Sequence, residues 1–316
     1  MKTGWIKEDN IYWGVTWYFA NPNGELKENT WYLENGKWYY FNEDGAMATG
    51  ATKIGNKMYF FDVNTGAMYD KGGWIKEEYS SDPDTWDWYY AKPNGELYFN
   101  QWIKVGNHWY YFSNYGVMVT GVRLIDSEYY VFNSKGQLSK GGWVEAYGTW
   151  WYTNTSGKPY IGWKLINNKW YYFSPVGNYD FSMGQMVTGP YIIDGKTYFF
   201  TNNGDLPTYE GWHKHRDDWY YTNKDGTVVK GWKLIGGKWY YFSEYTGYMY
   251  TGVYHINSKL YFFNSDGSWY SKPGWVKHGE EWLYVNSDGS LATGWVQIGG
   301  TWYYFDEYYG YLHESA

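Results

Sequence analysis

The sequence predicts an all-β protein, a β-solenoid of about 14 stacked β-hairpin repeats, and three observations predict it. One sentence of sequence recurs along the whole chain, in its fullest form from Gly231 to Gly252 as GWKLIGGKWYYFSEYTGYMYTG. Glycine is frequent, at 40 of 316 residues, and with Asn and Asp it punctuates short β-prone runs. Aromatic residues make up 25% of the chain, with 24 Trp, 41 Tyr and 15 Phe, so rings must build much of the interior that Leu, Ile and Val usually supply. No apolar stripe of period 3.6 competes with this reading, and Gly recurs too often for helices.

The elements follow in order. The first hairpin opens at Trp5 and has its aromatic run at Trp17-Tyr18-Phe19. The second opens at Trp31, runs through Trp38-Tyr39-Tyr40-Phe41, and closes on Gly45-Ala46-Met47-Ala48-Thr49-Gly50. The third replaces the opening Trp by Ala51 and runs through Met58-Tyr59-Phe60-Phe61. This order of two Trp-bearing hairpins and one without then repeats. Trp74/Trp88, Trp102/Trp109 and the Trp-free Val122 unit make the second round. Trp143/Trp150, Trp163/Trp170 and the Pro190 unit make the third, and Trp212/Trp219, Trp232/Trp239 and the Val253 unit the fourth. Trp275/Trp282 and Trp295/Trp302 form a last partial round. Residues 1–316 thus read as one array, with rounds at about 4–72, 73–141, 142–210, 211–273 and 274–316. Length changes fall in turns, at 80–84 and 175–184, where insertions cost little. Within each aromatic run, alternation puts Trp38 and Tyr40 on one face and Tyr39 and Phe41 on the other. A lone hairpin is marginal in water, so the copies must bury one another's rings.

Composition removes several function classes. The formal charge is -7 with no basic block, which argues against a nucleic-acid partner. Cysteine is absent, so disulfides, thiol catalysis and cysteine-ligated metals are excluded. No apolar run approaches the length of a membrane-spanning helix, and no membrane insertion is expected. His213-Lys214-His215 is a candidate chelate, but no second cluster completes a coordination sphere, and it reads as a polar hairpin edge. The Asp-Gly pairs at Asp44, Asp225, Asp266 and Asp288 read as turns. Glu280-Glu281 has no partner carboxylate at a defined distance, and no nucleophile or phosphate-cradling motif is present. No catalytic residue, metal site or cofactor is therefore expected. Met1-Lys2-Thr3-Gly4-Trp5 looks like a join between repeats, so the chain reads as a segment of a longer array, in which Met1 need not be a native start.

What the repeats suit is a cation with an apolar skin. One Trp before a hairpin turn and another after it lie close across the two strands. With an aromatic from the next hairpin they form a three-sided box for a quaternary ammonium, each cation–π contact contributing roughly 0.5–2 kcal/mol. Several boxes meeting a polymer of repeated cations gain avidity.

The pattern Gly-Trp, Trp-Tyr-Tyr-Phe, Gly-x-Met-x-Thr-Gly resembles the choline-binding, or cell-wall-binding, repeats of Gram-positive surface proteins, autolysins and phage lysins. It covers essentially the whole chain, and related repeats occur in glucan-binding domains of glucosyltransferases and in clostridial toxins. The resemblance implies a left-handed solenoid with three hairpins per turn, secreted or held at the cell surface, with a phage-encoded source as a second origin. It implies choline or phosphocholine of teichoic or lipoteichoic acid as partner, with α-glucan or a host glycan as the alternative. Carried over by position, complete cages fall at Trp5, Trp17 and Trp38; Trp74, Trp88 and Trp109; Trp143, Trp150 and Trp170; Trp212, Trp219 and Trp239; and Trp275, Trp282 and Trp302. The interfaces opened by Trp31, Trp102, Trp163, Trp232 and Trp295 are weaker candidates. Where a Trp-free hairpin follows, their third wall changes to Met58, Tyr129, Thr197 or Leu260, and Met47, Met118, Met186 and Met249 are expected to line them. Interfaces after Trp-free hairpins are expected to be empty of ligand. With three hairpins per turn those hairpins share one side, a Trp-poor stripe suited to a second copy or an attached domain. Trp13, Trp86, Trp151 and Trp269 fall outside the cage register and read as structural or rim residues.

Overall fold

The computed structural model describes residues 3–10, 14–77, 86–177 and 182–313. Trp13 and the insertion at 80–84 lie outside these residues, as does part of the insertion at 175–184. The described residues contain strands and turns and no helix. Twenty-eight strands pair in chain order into fourteen two-stranded antiparallel sheets, from Gly4–Asn10 with Gly14–Ala20 to Gly294–Ile298 with Thr301–Phe305. The fold is thus all-β, a succession of hairpins. Two compact units divide the chain, Met1–Tyr160 and Ile161–Ala316, each holding seven hairpins.

Turn chemistry explains where each strand reverses. In the second hairpin Glu34 pairs with Lys37, leaving Asn35 and Gly36 as a two-residue loop at φ 51° and 76°. Positive φ at both central residues is the hairpin turn whose twist matches the strands, and Asn and Gly tolerate it best. A second turn follows each aromatic run. Asn42 accepts the backbone N–H groups of Asp44 at 3.0 Å and Ala46 at 2.8 Å through its side-chain oxygen, folding the chain back.

The returning tail joins one hairpin to the next. Ala48 N–H donates to Tyr40 C=O of its own hairpin at 2.8 Å, whereas Met47 N–H donates to Trp17 C=O of the preceding hairpin at 2.7 Å. The same link recurs from Met68 to Trp38, Met118 to Trp88, Met249 to Trp219 and Trp269 to Trp239. Within each unit these links give successive hairpins a hydrogen-bonded edge, the nearest-neighbour arrangement of a solenoid. The Met of the sequence motif occupies that linking position.

The core follows from a second regularity. Phe41, Phe61, Phe112, Phe132, Phe173, Phe200, Phe242, Phe263 and Phe305 end the aromatic runs of second and third hairpins and are almost wholly buried. In first hairpins the same position holds Ala20, Ala91, Thr153, Thr222 or Val285. The reason is the neighbour. Phe41 packs 5.8 Å from the opening Trp5 of the hairpin before it, and Phe242 lies 5.7 Å from Trp212. From the second round on, a first hairpin follows a Trp-free one, so no indole stands there and a smaller residue fills the position.

The Trp-free interfaces are closed by ordinary packing. Met58, Phe60, Ile75, Tyr89 and Leu97 form one cluster in the first unit, and Leu260, Phe262, Leu283 and Leu291 form its counterpart in the second. The first of these interfaces also borders a cavity of about 810 Å³, whose lining includes Ala51, Lys53, Glu77, Asp87, Asn100 and Asn114.

Candidate functional site: repeated aromatic cages

The opening Trp of each Trp-bearing hairpin is the hub of a recurring ring constellation. Its strand partner places the second Trp beside it, because residues two apart on one strand share a face with their cross-strand partners. Thus Trp5 pairs with Phe19, and Lys7, two residues on, pairs with Trp17. Eight such Trp pairs have centroids 6.3–6.5 Å apart with planes 79–89° to each other. They form two walls of a corner. Trp38, Trp150, Trp170, Trp219, Trp239 and Trp282, each the second of its pair, remain 41–45% exposed, a large fraction for an indole that packing alone would bury.

The third wall differs from the sequence expectation. Trp5 meets Tyr39 of the next hairpin at 5.1 Å, and neither Trp5 nor Trp17 is in ring contact with Trp38. Strand alternation is the cause: Trp38 and Tyr39 are adjacent and face opposite ways, so Tyr39 looks back to Trp5 while Trp38 looks forward with Trp31. The same holds for Tyr110 against Trp74, Tyr240 against Trp212 and Tyr303 against Trp275, at 4.9–5.0 Å. Trp109, Trp239 and Trp302 make no ring contact with those Trp pairs among the described residues. Trp143 and Trp150 form their corner within the first unit, and Trp170 pairs with Trp163 within the second.

The same geometry restores the interfaces expected to be weaker. Their third ring is Tyr59 against Trp31, Tyr130 against Trp102, Tyr198 against Trp163 and Tyr261 against Trp232, at 4.9–5.3 Å. Met58, Thr197 and Leu260 are buried and face the following interface, and Tyr129 makes no ring contact among the described residues. The backbone N–H groups of Met47, Met118 and Met249 attach to the Trp17, Trp88 and Trp219 edges, while their side chains fill the space beside Gly66, Gly136 and Gly267 of the Trp-free hairpins that follow. Met186 bridges Phe173 in the second unit.

One cage is seen whole. Trp5, Trp17, Tyr39 and Met47, with Asn64 and Thr65, line a cavity of about 370 Å³. Two variants stand out. At the later interface of the fourth round the linking position holds Trp269, read from the sequence as a structural or rim residue, whose ring lies 5.3 Å from Trp232 and 6.0 Å from Tyr261. Trp109 makes no ring contact with Trp102, and the Lys140 ammonium stands 5.8 Å from its centroid. Trp295 and Trp302 are 68% and 60% exposed and border a cavity with Tyr303, Tyr304, Leu312 and His313. Trp151 is buried among Val131, Val144 and Ala146, and Trp86 receives the Lys76 ammonium 3.1 Å from its centroid.

The polar candidates are absorbed by structure. His213 is buried, not an edge residue, because its ring stacks on Phe199 at 4.9 Å and Nε2 meets Thr222 Oγ1 at 2.9 Å. Burial pushes its pKa and that of His215 below the usual imidazole range. No group of three or more metal-ligating side chains occurs among the described residues. Asp266 accepts Ser268 Oγ at 2.5 Å and Ser268 N–H at 2.9 Å, and these bonds, with Lys238, hold its carboxyl at about 2. Asp225 and Asp288 are likewise engaged by Thr227 and Ser290, which is turn work. Glu280 pairs only with exposed Lys277 at 3.2 Å.

A hairpin array that repeats open aromatic corners is a multivalent recognition protein. Matches to known proteins give that class its family. The choline-binding repeat matches residues 34–72, 160–208, 209–252 and 273–312, together more than half of the chain, and a putative cell wall binding repeat matches 100–118. The chain belongs to the choline-binding repeat family. Among curated relatives, glucosyltransferase-I of Streptococcus downei is 27% identical over 378 residues, covering 96% of this chain and 23% of the relative. Toxin A of Clostridium novyi is 29% identical over 120 residues, covering 38% of this chain and 5% of the toxin. The chain thus spans less than a quarter of the length of these relatives. Among solved structures, choline binding protein F of Streptococcus pneumoniae with a peptidoglycan analogue is 26% identical, with a TM-score of 0.37, 90% of this chain and 92% of that one covered. CbpJ of Streptococcus pneumoniae TIGR4 is 24% identical, with a TM-score of 0.36 and coverage of 92% and 100%.

Proposed function

We propose that the repeats bind the choline groups of teichoic and lipoteichoic acid, anchoring a Gram-positive surface protein to its wall by many weak contacts. The observation that carries this reading is the perpendicular pair of partly exposed indoles, closed by a Tyr and a Met around an open cavity, as at Trp5, Trp17, Tyr39 and Met47. Indole faces attract a spread positive charge, and the Met and ring edges suit its methyl groups. Two or three such contacts give a single cage an affinity of roughly millimolar order, and repetition supplies the rest. The segment contributes attachment. Any chemistry belongs to a domain beyond these residues, and the Trp-free hairpins offer exposed Leu124 and Ile192 as contact points for such a domain or a second copy.

The second reading is an α-glucan module, favoured by the likeness to glucosyltransferase-I, since the same indoles can stack on sugar faces. Free choline separates the two. Choline is expected to shift Trp fluorescence and to release the protein from choline-bearing resin. Retention on dextran, with no response to choline, gives the site to glucan.

A further inference from the structure

The cages are of two kinds, distinguished by the residue across the strand from the second Trp. Cross-strand partners share a face, so this residue stands beside the second indole of the pair. In first hairpins it is Lys7 beside Trp17, Lys76 beside Trp88, Lys214 beside Trp219 and Lys277 beside Trp282, the exception being Glu145 beside Trp150. In second hairpins it is Leu33 beside Trp38, Leu165 beside Trp170 and Leu234 beside Trp239, with Lys104 and Gln297 in the others. The leucines are 47–51% exposed. An ammonium on the rim of a cage for ammonium ions works against the ligand if choline is all that is recognised. It works for the ligand if an anion is attached to the choline.

We propose that the lysine-rimmed cages read the phosphate ester joined to choline, whereas the leucine-rimmed cages read the trimethylammonium group alone. This rests on the choline reading above. The Lys214 ammonium stands 6.0 Å from the Trp219 centroid, beside the indole face and free of any ion pair among the described residues. Lys7 pairs with Asp9 at 2.8 Å and Lys277 with Glu280 at 3.2 Å, but both pairs are solvent-exposed and weak, so either lysine can turn to an incoming phosphate. Lys76 rests on Trp86, next to the same cage. The chain thereby places a cation-binding wall and an anion-binding arm on one strand pair, as a zwitterionic ligand requires.

The test compares choline chloride with phosphocholine by Trp fluorescence titration, at low salt and at roughly 0.5 M salt, where the Debye length falls below about 5 Å. The first variant carries Lys→Gln at Lys7, Lys76, Lys214 and Lys277. The second carries Lys in place of Leu33, Leu165 and Leu234, all at exposed positions that tolerate charge. The native chain is expected to prefer phosphocholine at low salt and to lose that preference at high salt. The Gln variant should lower the phosphocholine-to-choline affinity ratio about threefold or more with choline binding unchanged or tighter, and the reverse variant should raise the ratio. Choline binding that persists with the ratio unmoved in both variants overturns the proposal and leaves the choline reading standing. Loss of both ligands from the native chain overturns the two together.

Discussion

At the scale of single residues, the glycine of each post-strand turn does more than turn the chain. Gly66 has φ +71°, and the place its Cβ would take is already filled by the Met47 side chain from the preceding tail. Gly66→Ala should therefore cost about 1–3 kcal/mol from backbone strain. It should also weaken choline binding at the Trp5/Trp17 cage by displacing Met47, which thermal melts and titration of the variant would read separately. Thr197 carries the opposite defect, a buried hydroxyl with no hydrogen-bond partner among the described residues. Thr197→Val keeps its shape and removes the unmet polar group, so a gain of about 1 kcal/mol in the second unit is expected from chemical denaturation. A loss would mean that the hydroxyl is satisfied by water. His213 and His215 lie in the same interface, Nδ1 of His215 also lacking a partner. Both pKa values are lowered by burial, with Arg216 adding to the effect at His215 and Asp218 opposing it. A depressed imidazole contributes its full stability above the unfolded value of about 6.5 and loses it as pH falls from there toward the folded value. The melting temperature of the second unit should fall between pH 7 and pH 5, and His213→Asn with His215→Gln should flatten that fall.

At the scale of the hairpin, the unit of design is the contact between one hairpin's opening Trp and the next hairpin's Tyr and terminal Phe. Trp212 touches Tyr240 at 5.0 Å and Phe242 at 5.7 Å, so the residue that walls the cage is braced from behind by a buried ring. Phe242→Ala should destabilise the second unit by about 3–5 kcal/mol and lower choline affinity at Trp212/Trp219, although Phe242 touches no ligand position. Calorimetry with a parallel choline titration reads both effects, and a stability loss with unaltered binding would show that Trp212 needs no brace. Much of this was legible in the sequence: hairpins, turns and paired indoles all follow from Gly-Trp, Asn-Gly and Trp-Tyr-Tyr-Phe. The third wall was legible too, because the alternation that sets Tyr39 opposite to Trp38 assigns Tyr39 to the earlier cage. The pairing of an opening Trp with a later Phe, and of Ala51 with Ala91, was likewise written in the chain as a correlation between neighbouring units. What local pattern could not supply was which tail reaches which edge. The link from Met47 to Trp17 is a tertiary hydrogen bond that no local propensity specifies, and Trp269 takes a cage position only through such a link.

At the scale of the whole molecule, many similar sites change how the protein responds to ligand. Each cage formed only in the folded chain adds stability of RT ln(1 + [L]/Kd), about 1.4 kcal/mol at ten times Kd, and the terms add where cages sit in the same cooperative unit. The second unit holds perpendicular Trp pairs at Trp163/Trp170, Trp212/Trp219, Trp232/Trp239 and Trp275/Trp282. Choline should therefore raise its melting temperature more steeply than one site of the same affinity allows. Trp212→Ala with Trp219→Ala removes one term and leaves the others, so the choline-dependent shift should shrink by about a quarter after correction for the lower baseline, while retention on choline resin weakens without vanishing. The correction is available from melts without choline, which report the packing that Trp212 loses with Phe242. A variant that melts normally at zero choline yet shows no shift at all would mean that the cages act as one cooperative site. A shift equal to the native one would place the ligand elsewhere.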